Sequence, residues 1–132
     1  MRVLIVEDDF ISRRLLKEIL SPYGSCDTVV DGEEAVLAFR LALEEKAPYD
    51  LVCMDIMMPK VDGQEALGKI REMEKDNGIT GRAEVKVLMV SALDDPKNVV
   101  ESYYLGGATS YVVKPITSDK IIAHIRELGM AV

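Results

Sequence analysis

No stretch of this chain of 132 residues stays apolar long enough to cross a bilayer. The N-terminus, MRVLIVEDDF, turns acidic too early for a secretory signal. Basic charge is scarce as well: 16 lysines and arginines stand against 23 aspartates and glutamates, for a formal net charge of −7. So acidic a chain has no electrostatic footprint for nucleic acid, and it has no basic amphipathic helix for a membrane surface. Cysteine is limited to Cys26 and Cys53, both inside apolar strand-like runs. Without a secretory signal both are expected as reduced core residues, and nothing resembles a zinc motif. The single histidine, His124, lies in IIAHIRE, far from the strand ends, and reads as a surface or packing residue. Repeats, linkers and low-complexity tracts are missing. What remains is the profile of one globular domain over residues 1–132, with 48% hydrophobic and 30% charged residues, expected in the cytoplasm; no output domain is expected within these residues, which form either a stand-alone protein or a domain excised from a longer chain.

What is present is a regular alternation. Runs rich in valine, isoleucine and leucine occur at Val3–Val6, Cys26–Val30, Leu51–Met54, Val85–Val90 and Ser110–Val113. Three of them are almost continuously apolar, as central strands covered on both faces are. Between them lie helical stripes at three- and four-residue spacing: Phe10 to Leu20, Ala35 to Leu43, Ala66 to Met73, Val99 to Tyr104 and Ile121 to Leu128. The punctuation agrees. Asp31-Gly32 opens the second helix, Asp95-Pro96 fits a cap and first turn, Gly106-Gly107 ends the fourth helix, and Ser118 or Thr117 caps the last. The segment Glu74–Lys86 is a polar loop longer than most connections. Strand and helix alternate five times, which implies an α/β fold: a doubly wound five-stranded parallel sheet with helices on both faces.

In such a sheet all strand C-termini share one edge, where ligands bind. The residues that follow each apolar run therefore meet there: Glu7, Asp8 and Asp9 after the first, Asp55 after the third, Ser91 after the fourth, Lys114 and Pro115 after the fifth. Asp31, after the second, reads as a turn opener. Carboxylates crowded together oppose ionisation unless a cation intervenes. Lys114 offsets one of them, and oxygen-only ligands in a wet cleft suit Mg2+ better than Ca2+. A carboxylate such as Asp55 can act as a nucleophile toward a phosphoryl group, with Mg2+, Lys114 and the Ser91 hydroxyl around the transferred oxygens. Each residue taken singly has a plainer reading. Acids after a strand favour a helix N-terminus, a strand-end serine usually caps a turn, a lone lysine is solvated, and Met57 and Met58 pack.

Four fragments in order, LIVEDD, DLVCMDIMMPKVDG, VLMVSA and GATSYVVKP, each at a strand end, resemble the receiver domain of two-component response regulators over essentially the whole chain. The resemblance implies strand order 2-1-3-4-5, a flavodoxin-like arrangement. It implies that Asp55 is the phosphoacceptor, served by a sensor histidine kinase or a phosphotransfer protein. Glu7 and Asp8 then look like the acidic Mg2+ pair, with a shift by one making it Asp8 and Asp9. Met57 would lend the metal a backbone carbonyl, Ser91 and Lys114 would sense the phosphoryl group, and Tyr111 would be the aromatic switch. Lys114-Pro115 looks like the family's cis peptide. The expected product is a signalling switch rather than an enzyme, one that catalyses only its own phosphoryl uptake and loss. It would alter affinity for a downstream protein through the face made by the fourth helix, last strand and last helix. Many receivers pair through the last-helix face, so a homodimer stays open. Three rivals stand beside this. A phosphomonoester phosphatase would carry a second acid where Met57 stands. A flavin module would want a Gly/Ser/Thr-rich phosphate loop where EDDFIS stands. A phosphorylation-independent interaction domain of the same fold is opposed by the complete set of Glu7, Asp8, Asp55, Ser91 and Lys114.

Overall fold

The structure is a computed structural model that describes residues 1–56, 61–91 and 109–130. Five parallel strands form one sheet: β1 (Arg2–Val6), β2 (Ser25–Val29), β3 (Leu51–Asp55), β4 (Lys86–Ser91) and β5 (Ser110–Val113), in the order β2-β1-β3-β4-β5. The helices are α1 (Phe10–Leu20), α2 (Gly32–Glu44), α3 (Gly63–Asp76) and α4 (Ser118–Glu127). The expected helix at Val99–Tyr104, with Asp95-Pro96 and Gly106-Gly107 around it, lies outside the described residues, as does Met57.

Each strand alternates between two cores, as a two-residue period requires. Leu4, Val6, Val52, Met54, Val87 and Met89 pack against Ala35, Phe39 and Ala42 of α2 and Ala66, Leu67 and Ile70 of α3. Val3, Ile5, Leu51, Cys53, Leu88, Val90 and Val112 pack against Leu16, Ile19 and Leu20 of α1 and Ile121 and Ile125 of α4. Helices therefore cover both faces of the sheet, and the central strands β1, β3 and β4 are buried almost throughout.

The edge strand β2 has only exposed and half-buried residues instead, so Cys26 is half-buried while Cys53 is fully buried. Both are free thiols, but Cys26 corrects the expectation of two core cysteines, because an edge strand has a neighbour on one side only. The stripe on α1 is also narrower than its sequence suggests. Phe10 and Ile11 are 63% and 74% exposed, and the buried stripe runs only through Leu16, Ile19 and Leu20.

Side-chain caps start each of the four described α-helices. Asp9, Asp31, Asp62 and Thr117 accept from the backbone N–H of Ser12, Glu34, Glu65 and Lys120 at 2.8, 2.8, 2.9 and 3.3 Å. Asp31 thus opens α2, as its position suggested, and Thr117 rather than Ser118 caps α4. No helix among the described residues is long and apolar enough to cross a membrane.

Candidate functional site

Register brings the acidic groups together. Val6 pairs with Met54 across β1 and β3, so the next residues, Glu7 and Asp55, emerge side by side. The cross-links continue along the edge. Glu7 donates its N–H to the Val29 carbonyl at 3.1 Å, Ile56 to Val90 at 3.1 Å, and Lys114 to Ser91 at 2.8 Å. Alternation then sends Glu7, Asp55 and Lys114 to the same side as Ile5, Cys53 and Val112, the side covered by α1 and α4.

At the strand ends, carboxylate oxygens of Glu7, Asp8 and Asp55 lie within 4.8 Å of one another. Glu7 and Asp55 are 1% and 6% exposed, whereas Asp8 is open to solvent. The Lys114 ammonium bridges the two buried acids, at 3.2 Å from Glu7 Oε1 and 3.1 Å from Asp55 Oδ2. That leaves Glu7 Oε2 buried with no hydrogen-bond partner among the described residues. Burial pushes the Glu7 carboxyl up to about 8, and the hydrogen bond and charge of Asp55 push the same way against the pull of Lys114. Burial alone would lower Lys114. Its contacts with Asp55 and Glu7 outweigh that and raise it, so the ammonium stays charged. Two carboxylates held together by one cation, with an orphaned oxygen and an exposed third acid alongside, make a donor set suited to a hard divalent ion.

The other candidate residues are placed less centrally. Ser91 ends β4 opposite Val113, fully buried, and its hydroxyl has no hydrogen-bond partner among the described residues. Tyr111 is two residues back on β5, opposite Met89, and 39% exposed. Asp9 spends its carboxylate on the Ser12 N–H as the α1 cap, which holds its carboxyl below the usual range. Lys114-Pro115 is a cis peptide. His124 stands away from the carboxylates, with Nδ1 3.1 Å from Ser110 Oγ.

Two contributors escape a reading by strand ends. An Arg13 guanidinium nitrogen from α1 donates to the carbonyls of Glu7 and Asp8 at 3.0 and 3.4 Å. Gly63, at the start of α3, donates to the Ile56 carbonyl at 2.9 Å and crosses so close to β3 that a Cβ there would meet the Asp55 carbonyl oxygen at 2.4 Å. The signals were a basic residue five positions after Asp8 and the Asp62-Gly63 pair, but neither has meaning until the loops are folded.

Comparison with known proteins agrees with this architecture. Residues 3–126 match the model of the response regulator receiver domain. The chemotaxis protein CheY of Treponema pallidum is 36% identical over 126 residues, covering 94% of this chain and 79% of that protein. Among solved structures, the complex of CheX, CheY, BeF3 and Mg2+ from Borrelia burgdorferi superposes with a TM-score of 0.82 at 30% identity, over 99% of this chain and 90% of that one. The Saccharomyces cerevisiae receiver domain of Ssk1, solved with the histidine phosphotransfer protein Ypd1, also gives 0.82, at 28% identity over 98% of this chain and 88% of that one. With the sheet order, the acidic cluster and a family match spanning nearly its full length, the chain belongs to the response regulator receiver domains of two-component signalling.

Proposed function

We propose that this receiver takes a phosphoryl group onto Asp55 and that the modification switches its affinity for a downstream protein. The observation that carries the proposal is the Lys114 bridge: one ammonium reaches both Glu7 Oε1 and Asp55 Oδ2 while Glu7 Oε2 has no hydrogen-bond partner among the described residues. A structural ion pair would satisfy every buried oxygen. This one leaves charge and lone pairs for something still to bind.

Glu7, Asp8 and Asp55 would hold Mg2+, Asp8 as a direct ligand and Glu7 through water; the family resemblance would add a backbone carbonyl from Met57, which lies outside the described residues. Bound there, Mg2+ would offset the charge that develops on the transferred oxygens. Asp55 supplies the nucleophilic carboxylate oxygen. That oxygen bonds to phosphorus as the phosphorus–nitrogen bond of a phosphohistidine breaks, and the electron pair leaves with the imidazole. Lys114, freed from its bridge to Asp55, pairs with a phosphoryl oxygen, and the buried Ser91 hydroxyl becomes a donor to another. Ser91 moves toward the new group, Tyr111 follows it from the surface, and the face around β5 and α4 changes shape. The donor is a sensor histidine kinase or a histidine phosphotransfer protein; the Ypd1–Ssk1 pairing of a relative favours the latter as a first probe.

Intact-mass spectrometry after incubation with acetyl phosphate tests the reading. Wild type should gain one phosphoryl group only when Mg2+ is present, and Asp55→Asn should gain none while keeping its fold by circular dichroism. An adduct that persists in Asp55→Asn would put the phosphoacceptor elsewhere. If wild type takes up no phosphoryl group and does not bind beryllofluoride, the phosphorylation-independent interaction domain is the better account.

A further inference from the structure

The β1–α1 turn carries Glu7 and Asp8; the sheet holds it through the Glu7 N–H on the Val29 carbonyl, and nothing in the regular strand or helix pattern fixes the Glu7 and Asp8 carbonyls. Three contacts from the start of α1 complete the path. Asp9 caps the Ser12 N–H at 2.8 Å, the Arg13 N–H donates to the Asp9 carbonyl at 2.9 Å, and one Arg13 guanidinium nitrogen reaches back to the carbonyls of both Glu7 and Asp8, at 3.0 and 3.4 Å. Arg13 is itself held from outside, its guanidinium 5.6 Å from the centre of the Phe10 ring. The side chain is half-buried, so its charge-assisted bonds to these carbonyls are only partly screened by water.

We infer that Arg13 is a positioning residue for the cation site: by clasping the carbonyls of Glu7 and Asp8 it sets the directions in which their carboxylates leave the turn. The inference rests on the proposed Mg2+-dependent function and extends it to a residue that does not touch the metal. Groups that orient metal ligands in this way typically change affinity 10- to 100-fold when removed.

Arg13 has a second effect of opposite sign, which makes the inference testable. Its positive charge lies beside an acidic pocket and, as a charge alone, repels a cation. Removing it should tighten Mg2+ binding if charge is all that matters, and weaken binding if orientation matters more.

The test is titration calorimetry with Mg2+ on wild type, Arg13→Gln and Arg13→Lys, with thermal melts of the metal-free proteins alongside. We expect the Arg13→Gln dissociation constant to rise about tenfold. Arg13→Lys, which keeps the charge but not the guanidinium geometry, should fall between the two. Phosphoryl uptake from acetyl phosphate should return to near the wild-type rate at saturating Mg2+, a split that simple destabilisation would not produce. Unchanged or tighter Mg2+ binding in Arg13→Gln overturns the inference while the function stands. Should Arg13→Gln fail to fold, Arg13→Lys decides alone: affinity equal to wild type overturns it. Failure of wild type to bind Mg2+ removes the proposed function and this inference together.

Discussion

Two glutamates in this protein are equally buried and have opposite fates. Glu74, near the end of α3 and 1% exposed, has both oxygens occupied: Oε1 accepts from Arg71 and Oε2 from the Val85 N–H, each at 2.6 Å. Arg71 then donates to the Val85 carbonyl at 2.9 Å, so two side chains of one helix act as a ladder partner for the residue before β4. Glu7, at the other end of the sheet and also 1% exposed, shares its cation with Asp55 and keeps one oxygen unpartnered among the described residues. The difference separates a structural carboxylate from one held in readiness. A satisfied buried acid stabilises the contacts around it, whereas an unsatisfied one stores an unfavourable term that a bound cation relieves.

The largest effect should come from breaking the satisfied site. Glu74→Ala takes the carboxylate away from Arg71 and leaves the Val85 N–H without its acceptor, and a broken buried pair typically costs about 3–5 kcal/mol. Urea denaturation should show a loss of that size, while the Mg2+ affinity of the folded protein stays the same. If Mg2+ affinity fell together with stability, the two ends of the sheet would not be independent.

A pH series on Glu7 comes next. An acid whose folded value is raised, here from 4.5 to about 8, binds its proton more tightly folded than unfolded. Its contribution is therefore most favourable below 4.5 and is lost as pH rises through the folded value near 8. Metal-free wild type should lose stability relative to Glu7→Gln as pH rises across that window. Mg2+ should restore it most at the alkaline end, where no proton competes for the carboxylate. Denaturant midpoints against pH, with and without Mg2+, provide the check, and parallel curves for the two proteins would contradict it.

The smallest effect concerns the network at the starts of β1 and β3. There Tyr49 donates to Asp27 at 2.7 Å, and Arg2 lies 3.2 Å from the same carboxylate and 4.5 Å from the Tyr49 ring centre. Tyr49→Phe should cost about 1 kcal/mol of stability in the same denaturation assay. Phosphoryl uptake should not change, because the network lies at the end of the sheet opposite Asp55.

Much of this was legible in the sequence, for identifiable reasons. Strands such as Leu51–Asp55 are continuously apolar because both faces are covered, and the polar residue that ends each of them marks the sheet edge. Glu7, Asp55, Ser91 and Lys114 were found in that way, and the strand order came from the family resemblance. Asp9 and Glu7 were harder to separate, since three consecutive acids look alike in one dimension; the α1 cap distinguishes them. The segment Glu74–Lys86 read simply as a polar loop, because the bond between Glu74 and Val85 spans eleven positions and belongs to no local pattern. Cys26 looked like a core residue for a related reason: a run such as CDTVV does not say whether its strand lies at the edge or the centre of a sheet.

By itself, then, the sequence determined the alternation of the described strands and helices, the starts of α2 and α4 and which residues reach the shared edge, because hydrophobic period, capping chemistry and strand ends are all local. Only the tertiary structure decided how those residues meet. The bridge of Lys114 to Glu7 over 107 positions, the clasp of Arg13 on the carbonyls of Glu7 and Asp8, and the close crossing of Gly63 over Asp55 all follow from strand register and loop packing, and both are settled only when distant segments are buried against one another.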